Sequence, residues 1–153
     1  MCGVVAVIGK KNASELVVEG LKKLEYRGYD SAGIASVSGG SLHTIKSEGK
    51  LINLIDKLNH LSNSNLQSSS TAIGHTRWAT HGNISIDNAH PLTSENKVAV
   101  VHNGIIENYE LIKNKLVSEG YSFKSQTDTE VLPHLFTKYI KLGNNLLQAG
   151  RLV

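Results

Sequence analysis

The sequence predicts an α+β fold in which antiparallel sheets carry helices packed on them. Short apolar runs bounded by turn residues read as strands, and apolar residues at helical spacing mark four helices. The two kinds of segment do not alternate regularly, which argues against a doubly wound parallel sheet. At 153 residues the chain has the size of one ordinary domain and can bury a core.

Val4-Val5-Ala6-Val7-Ile8 is a continuous apolar run and opens the chain as a buried strand. Asn12 with Glu15 three residues on has the form of a capping box, and Val17, Leu21 and Leu24 give the following helix its apolar face. Gly33 to Val37 reads as a strand that SGGS (38–41) turns into a partner, Leu42 to Ile45. Leu51, Leu54, Leu58 and Leu61 repeat at helical spacing, and the polar stretch SNSNLQSSS (62–70) predicts an exposed loop. Ala72 to Trp78 resumes a strand, residues 79–96 read as irregular, and 97–102 is strand-like. Tyr109, Ile112 and Leu116 mark a helix that Gly120 ends. Asp128 is placed to cap a last helix carrying Leu132, Phe136 and Tyr139, in which Pro133 is expected to remove one backbone hydrogen bond or shift the start.

Composition narrows the function. Hydrophobic content of 40% and charged content of 19% fit a globular rather than a disordered chain. The pI near 9.0 comes from a formal charge of only +3, spread along the chain, and aromatics make up 5%. No basic stripe interleaves with stacking rings, so a nucleic-acid partner is not expected. One cysteine excludes an internal disulfide, no run reaches membrane-spanning length, and no leader pattern opens the chain; a cytoplasmic domain, away from membranes, is expected.

That cysteine stands at position 2. Removal of Met1 would place an α-amine, of reference pKa about 7.7–8.0, on the same residue as the thiol, and such an amine can serve as the base that activates a nucleophile. The competing reading is a small hydrophobe at a chain end. Arg77 offers a planar fork suited to a carboxylate, or else a surface ion pair. Trp78 suits either pocket lining or packing, and Thr80 and His81 either pocket walls or loop hydrogen bonds. His75, His81, His90 and His102 lack the close pairing of a metal-binding helix, and no metal site is expected.

Asn103-Gly104 is the strongest short hairpin signal in the chain, yet the helix expected next fits a plain hairpin poorly. The alternative uses the Asn103 amide and the Gly104 backbone N–H as two donors to an oxygen that becomes negative under thiolate attack. Asp128 is either a helix cap or the partner of an ammonium group. Together an Arg for a carboxylate, an Asp for an ammonium and a thiolate with an oxyanion hole describe one ligand, for which glutamine fits.

MCGVV, LEYRGYDSAGIA (24–35), GHTRWATHG (74–82), NAHP (88–91), VVHNGIIENY (100–109) and SQTDTEV (125–131) resemble the glutaminase domain of the glucosamine-6-phosphate synthase family, over residues 1 to about 145. The resemblance implies an N-terminal-nucleophile fold, a four-layer αββα sandwich of two antiparallel sheets between helices, here incomplete at the C-terminus. It makes 1–153 a partial type-2 glutamine amidotransferase domain, with the sugar-isomerase domains absent. It implies hydrolysis of L-glutamine, the ammonia aminating fructose 6-phosphate to glucosamine 6-phosphate through those absent domains, with no cofactor and an oligomeric full-length enzyme. Cys2 is then the nucleophile, Asn103 and Gly104 the oxyanion hole, Arg77 and Asp128 the holders of glutamine, and Trp78, Thr80 and His81 neighbours of the pocket. Arg27 is implied as support around the nucleophile. The closing AGRLV and Pro133 depart from the family pattern. Another class II amidotransferase and an inert truncated fragment are the alternatives.

Overall fold

In the computed structural model, residues 2–9, 11–60, 69–79 and 82–153 are described. The elements run β1 (Gly3–Ile8), α1 (Ala13–Lys22), a 3-10 turn (Glu25–Arg27), β2 (Ser31–Ser38), β3 (Ser41–Glu48), α2 (Leu51–His60) and β4 (Thr71–Arg77). They continue with β5 (Leu92–Ser94), β6 (Val98–Val100), α3 (Tyr109–Ser118), a second 3-10 turn (Asp128–Glu130), α4 (Val131–Lys141) and α5 (Leu146–Leu152). The first four strands to form a sheet lie in the order β1-β4-β2-β3, all antiparallel, and β5 pairs β6 in a second sheet.

Alternation along the strands gives the four-stranded sheet two different faces. One face carries Ala32, Ile34 and Ala72 and packs against Val17, Leu21, Leu51 and Leu54 of α1 and α2, which forms the main apolar core. Gly74 lies under α1, where a Cβ would stand 2.3 Å from Val17 Cγ1, so only glycine admits the helix at this distance. The other face carries Gly33 and His75, which pair across β2 and β4. A Cβ at Gly33 would meet the backbone oxygen of His90 at 2.2 Å, so the chain leading into β5 crosses the sheet in direct backbone contact. On the far side of β5 and β6 lies α4, which gives the order helices, sheet, sheet, helices.

Most expected elements stand where the sequence places them. SGGS forms the β2–β3 turn with both Gly39 and Gly40 at positive φ, the backbone of a two-residue hairpin that matches strand twist. Gly120 at φ 92 ends α3 as expected, its N–H reaching Val117 O and that of Tyr121 reaching Leu116 O. Gly143 ends α4 in the same way.

Three expectations are corrected, and that for Pro133 is met by its second alternative, a shifted start. Asn12 precedes α1 but in a left-handed conformation with no side-chain cap; Ser69 replaces it, accepting the Ser14 N–H on Oγ at 3.2 Å and the Ala13 N–H on its carbonyl at 3.0 Å. The stretch read as irregular contains β5, too short for a periodicity signal. Pro133 is the third residue of α4, within the first turn, where amides have no partner inside the helix, so it breaks nothing. The tail beyond residue 145 forms α5, capped reciprocally by Asn145 and Gln148, where the sequence suggested no element. Leu61 and most of the polar stretch at 62–70 lie outside the described residues.

β1 ends the sheet order, and Val4 and Ile8, on the face shared with His75, are 42% and 81% exposed. An uncharged, apolar edge strand is a template for pairing with another chain. The 153-residue chain on its own is expected to self-associate through β1, and Ala6→Lys to shift it towards monomer. Light scattering against concentration checks this; a wild-type monomer at high concentration would contradict it.

Candidate active site

The β1–β4 register places the sole cysteine. Gly3 pairs with Thr76 and donates its N–H to Thr76 Oγ1 at 3.1 Å, so Cys2 stands just past the ladder beside the exit of β4. There the Trp78 N–H donates to Cys2 Sγ at 3.2 Å, and the thiol lies 3.7 Å from the Trp78 carbonyl. A backbone donor aimed at sulfur bonds a thiolate more strongly than a thiol. The turn holding that donor is clasped by Asp30, whose N–H donates to Arg77 O at 2.8 Å and whose carboxylate accepts the Ala79 N–H. Gly28, at positive φ, follows the turn containing Arg27 and leaves room for the Trp78 ring, which a Cβ would meet at 3.0 Å.

From the opposite side comes the chain after β6. Asn103 Nδ2 donates to the Cys2 carbonyl at 3.3 Å, and Asn103 Oδ1 lies 2.8 Å from His75 Nε2. Asn103-Gly104 is not a hairpin, because β6 ends at Val100 and α3 follows. Gly104 leaves room for the His102 ring, whose Nε2 would stand 2.6 Å from a Cβ there.

Arg77, 6% exposed, ends β4 on the same face as His75. Asp128 opens the second 3-10 turn, accepts the Ile106 N–H at 2.7 Å, and receives the Thr129 hydroxyl at 3.3 Å. It caps no helix; Thr127 holds the position before that turn, without a side-chain cap. Asn88 fixes this segment by donating to Asn83 O and Gln126 Oε1 and accepting the Gln126 N–H at 2.8 Å. Cys2, Arg77, Trp78, Asn103, Gly104 and Asp128 thus line one small, open cleft, and Thr80 and His81 lie outside the described residues. A cleft with a thiol, an amide donor, a buried guanidinium and a carboxylate can bind an amino acid and attack its side chain.

Sequence reasoning missed the inner wall. His75, His90, His102, Ile105, Thr127 and Thr129 also line the cleft. The His75 and His90 rings stack with centroids 4.4 Å apart, His90 Nδ1 accepts the His102 N–H at 3.3 Å, and His102 Nδ1 meets Thr129 Oγ1 at 3.2 Å. Burial pushes His75 down to about 4 despite its bond to Asn103, and pushes His90 down to about 2, helped by the charges of His75 and Arg77. Burial also lowers Lys46, whose ammonium donates to the carbonyls of Ala89 at 2.8 Å and Asp87 at 3.4 Å and so holds the approach to His90. Among the described residues, no group of three or more His, Cys, Asp and Glu is set to hold a metal ion, and no helix is long and apolar enough to cross a membrane. The available signal was period two along β4: His75 and Arg77 had to share a face.

A family model described as the glutamine amidotransferase domain matches residues 41–150. The chain belongs to this family. It is 54% identical to the glutamine–fructose-6-phosphate aminotransferase (isomerizing) of Clostridium tetani over 97% of this chain, and 48% identical to that of Pyrococcus horikoshii over 99%. It spans 24% and 25% of those two relatives. A solved glutamine phosphoribosylpyrophosphate amidotransferase from B. subtilis, complexed with ADP and GMP, superposes with a TM-score of 0.71 at 30% identity. That match covers 90% of this chain and 29% of the other. The fold is accordingly the N-terminal-nucleophile type of these amidotransferases, with antiparallel sheets between helices.

Buried His75 and His90 make the stability of this domain depend on pH. Each is neutral when folded but takes a proton at about 6.5 when unfolded, so their contribution is complete above pH 6.5 and is lost as pH falls towards 4. Glu130 adds to this at lower pH: burial alone would raise it, but bonds from His134 and the Lys124 and Ser125 amides hold it at about 2. Urea midpoints followed by fluorescence are expected to fall steadily between pH 6.5 and 4. A flat profile over that range would show the rings to be solvated.

Proposed function

We propose that this chain is the glutaminase part of a glutamine–fructose-6-phosphate aminotransferase. It hydrolyses glutamine to glutamate and ammonia, and the ammonia aminates fructose 6-phosphate to glucosamine 6-phosphate at a sugar site outside these 153 residues. The observation that carries the reading is the meeting of Cys2 Sγ with a backbone donor and of Asn103 with the Cys2 residue, from segments 101 positions apart. Identities of 48–54% to the fructose-6-phosphate enzymes, against 30% to the phosphoribosylpyrophosphate enzyme, favour the sugar acceptor. We place the reaction in the cytoplasm, in an oligomeric full-length enzyme without nucleic-acid or membrane partners, with residues 1–153 a part of its type-2 amidotransferase domain.

The mechanism follows from the side chains. Removal of Met1 frees the Cys2 amine, which takes the thiol proton directly or through a water. Arg77 grips the glutamine carboxylate, Asp128 its ammonium, and Trp78 walls the cleft, with Thr80 and His81 expected beside it. The sulfur attacks the side-chain amide carbon, and the oxygen, now negative, is met by Asn103 Nδ2 and the Gly104 N–H. The protonated amine hands its proton to the leaving nitrogen, ammonia departs, and water cleaves the Cys2 thioester to give glutamate.

In the full natural chain, a glutamine-analogue electrophile is expected to label Cys2, and mass spectrometry of active protein to show Met1 removed. Full activity in Cys2→Ala, or with Met1 intact, would overturn the mechanism. Asn103→Ala is expected to lower kcat by about 10²–10³ with little change in KM. Arg77→Lys is expected to raise KM, because the two-pronged grip is lost. Exchanged signatures would mean the two roles are misassigned.

A further inference from the structure

We infer that His75 is a positioning residue, which locks the Asn103 side-chain amide so that its nitrogen, and not its oxygen, faces the cleft at Cys2. Its effect on rate rests on the glutaminase reading; its geometry does not.

The deduction starts at the Cys2 carbonyl. That oxygen can only accept, so the Asn103 atom 3.3 Å from it is the nitrogen. The amide oxygen therefore faces His75 Nε2 at 2.8 Å, and since it too can only accept, Nε2 carries the hydrogen. His75 Nδ1 is buried and makes no hydrogen bond of normal geometry among the described residues; the His102 backbone favours a proton on the ring, but burial outweighs it. The ring is thus neutral and protonated on Nε2 alone, in keeping with the low pKa that burial gives it. The other tautomer would aim a lone pair at the amide oxygen 2.8 Å away.

The ring itself has little freedom. It projects from the middle of β4, 1% exposed, stacked on His90, which in turn accepts from the His102 backbone. Asn103 is exposed and lies in no regular element, so apart from the Cys2 carbonyl little else restrains its amide. A flipped amide would present an acceptor to a developing negative oxygen. His75 separates the two orientations without touching the substrate.

The test uses the full natural chain. His75→Gln keeps an N–H near the reach of Nε2, and His75→Met keeps bulk without a donor. The Met variant is expected to lose about 10-fold or more in kcat with KM within about threefold, whereas the Gln variant keeps most of its rate. Alkylation of Cys2 by a small neutral reagent, which needs no oxyanion hole, is expected to run at the wild-type rate in both. Wild-type kcat in the Met variant, or equal losses in both variants with alkylation preserved, would overturn the assignment. If the Met variant does not fold, nitrogen NMR of the wild-type imidazole decides: a neutral ring protonated on Nε2 at pH 7 is expected, and the Nδ1 tautomer or an imidazolium overturns it. A protein with the expected tautomer that releases no glutamate would sink the glutaminase reading and leave the positioning intact.

Discussion

Everything in the cleft hangs on the antiparallel pairing of β1 with β4 and of β4 with β2. Gly3 opposite Thr76 sets where Cys2 emerges, and Ser31 opposite Arg77 sets where Asp30 can clasp the exit of β4. The backbone donor that reaches the sulfur belongs to Trp78, the first residue past that register. A slip of one residue would carry His75 and Arg77 through the sheet into the apolar layer under α1. The pairing is held by apolar side chains on one side and by the fit of Gly33 under the His90 carbonyl on the other. The placement of Cys2 therefore depends on packing around residues 70–79 and 82–90.

How much of this was legible in the sequence follows from the range of the interactions. The hairpin at Gly39-Gly40 and the end of α3 at Gly120 are local events, written in residues that tolerate positive φ, and they were readable. The Asn12 box failed because its amides were taken by Ser69, more than fifty positions away. Asp128 misled as a cap for a similar reason: its carboxylate is drawn to Ile106. Cys2, Arg77, Asn103 and Asp128 were nameable because their chemistry is unusual for their positions. The histidines behind them were not, since a buried neutral ring has no sequence signature apart from the strand that carries it.

Those rings explain how a polar wall survives in a dry place. His75 and His90 each bond through a lone pair or an N–H to a neutral neighbour, so neither needs a charge. Lys46 is the exception, and its ammonium finds two backbone carbonyls at the approach to His90. Beyond them, His134 sits between Ser94 and Glu130 and is flanked by Tyr121 and Phe123, so α4 meets the second sheet through a further buried polar group.

β4 divides two kinds of selection. Ala72, Gly74 and Thr76 look towards the helices, and Ile73, His75 and Arg77 look the other way. Substitutions at the even positions disturb packing against the helices; those at His75 and Arg77 disturb the wall of the cleft. Variation along this strand would then be sorted by parity, and fitness measured residue by residue would oscillate with a period of two. A single inserted codon would be worse than any substitution, because it would exchange the two registers of constraint at once.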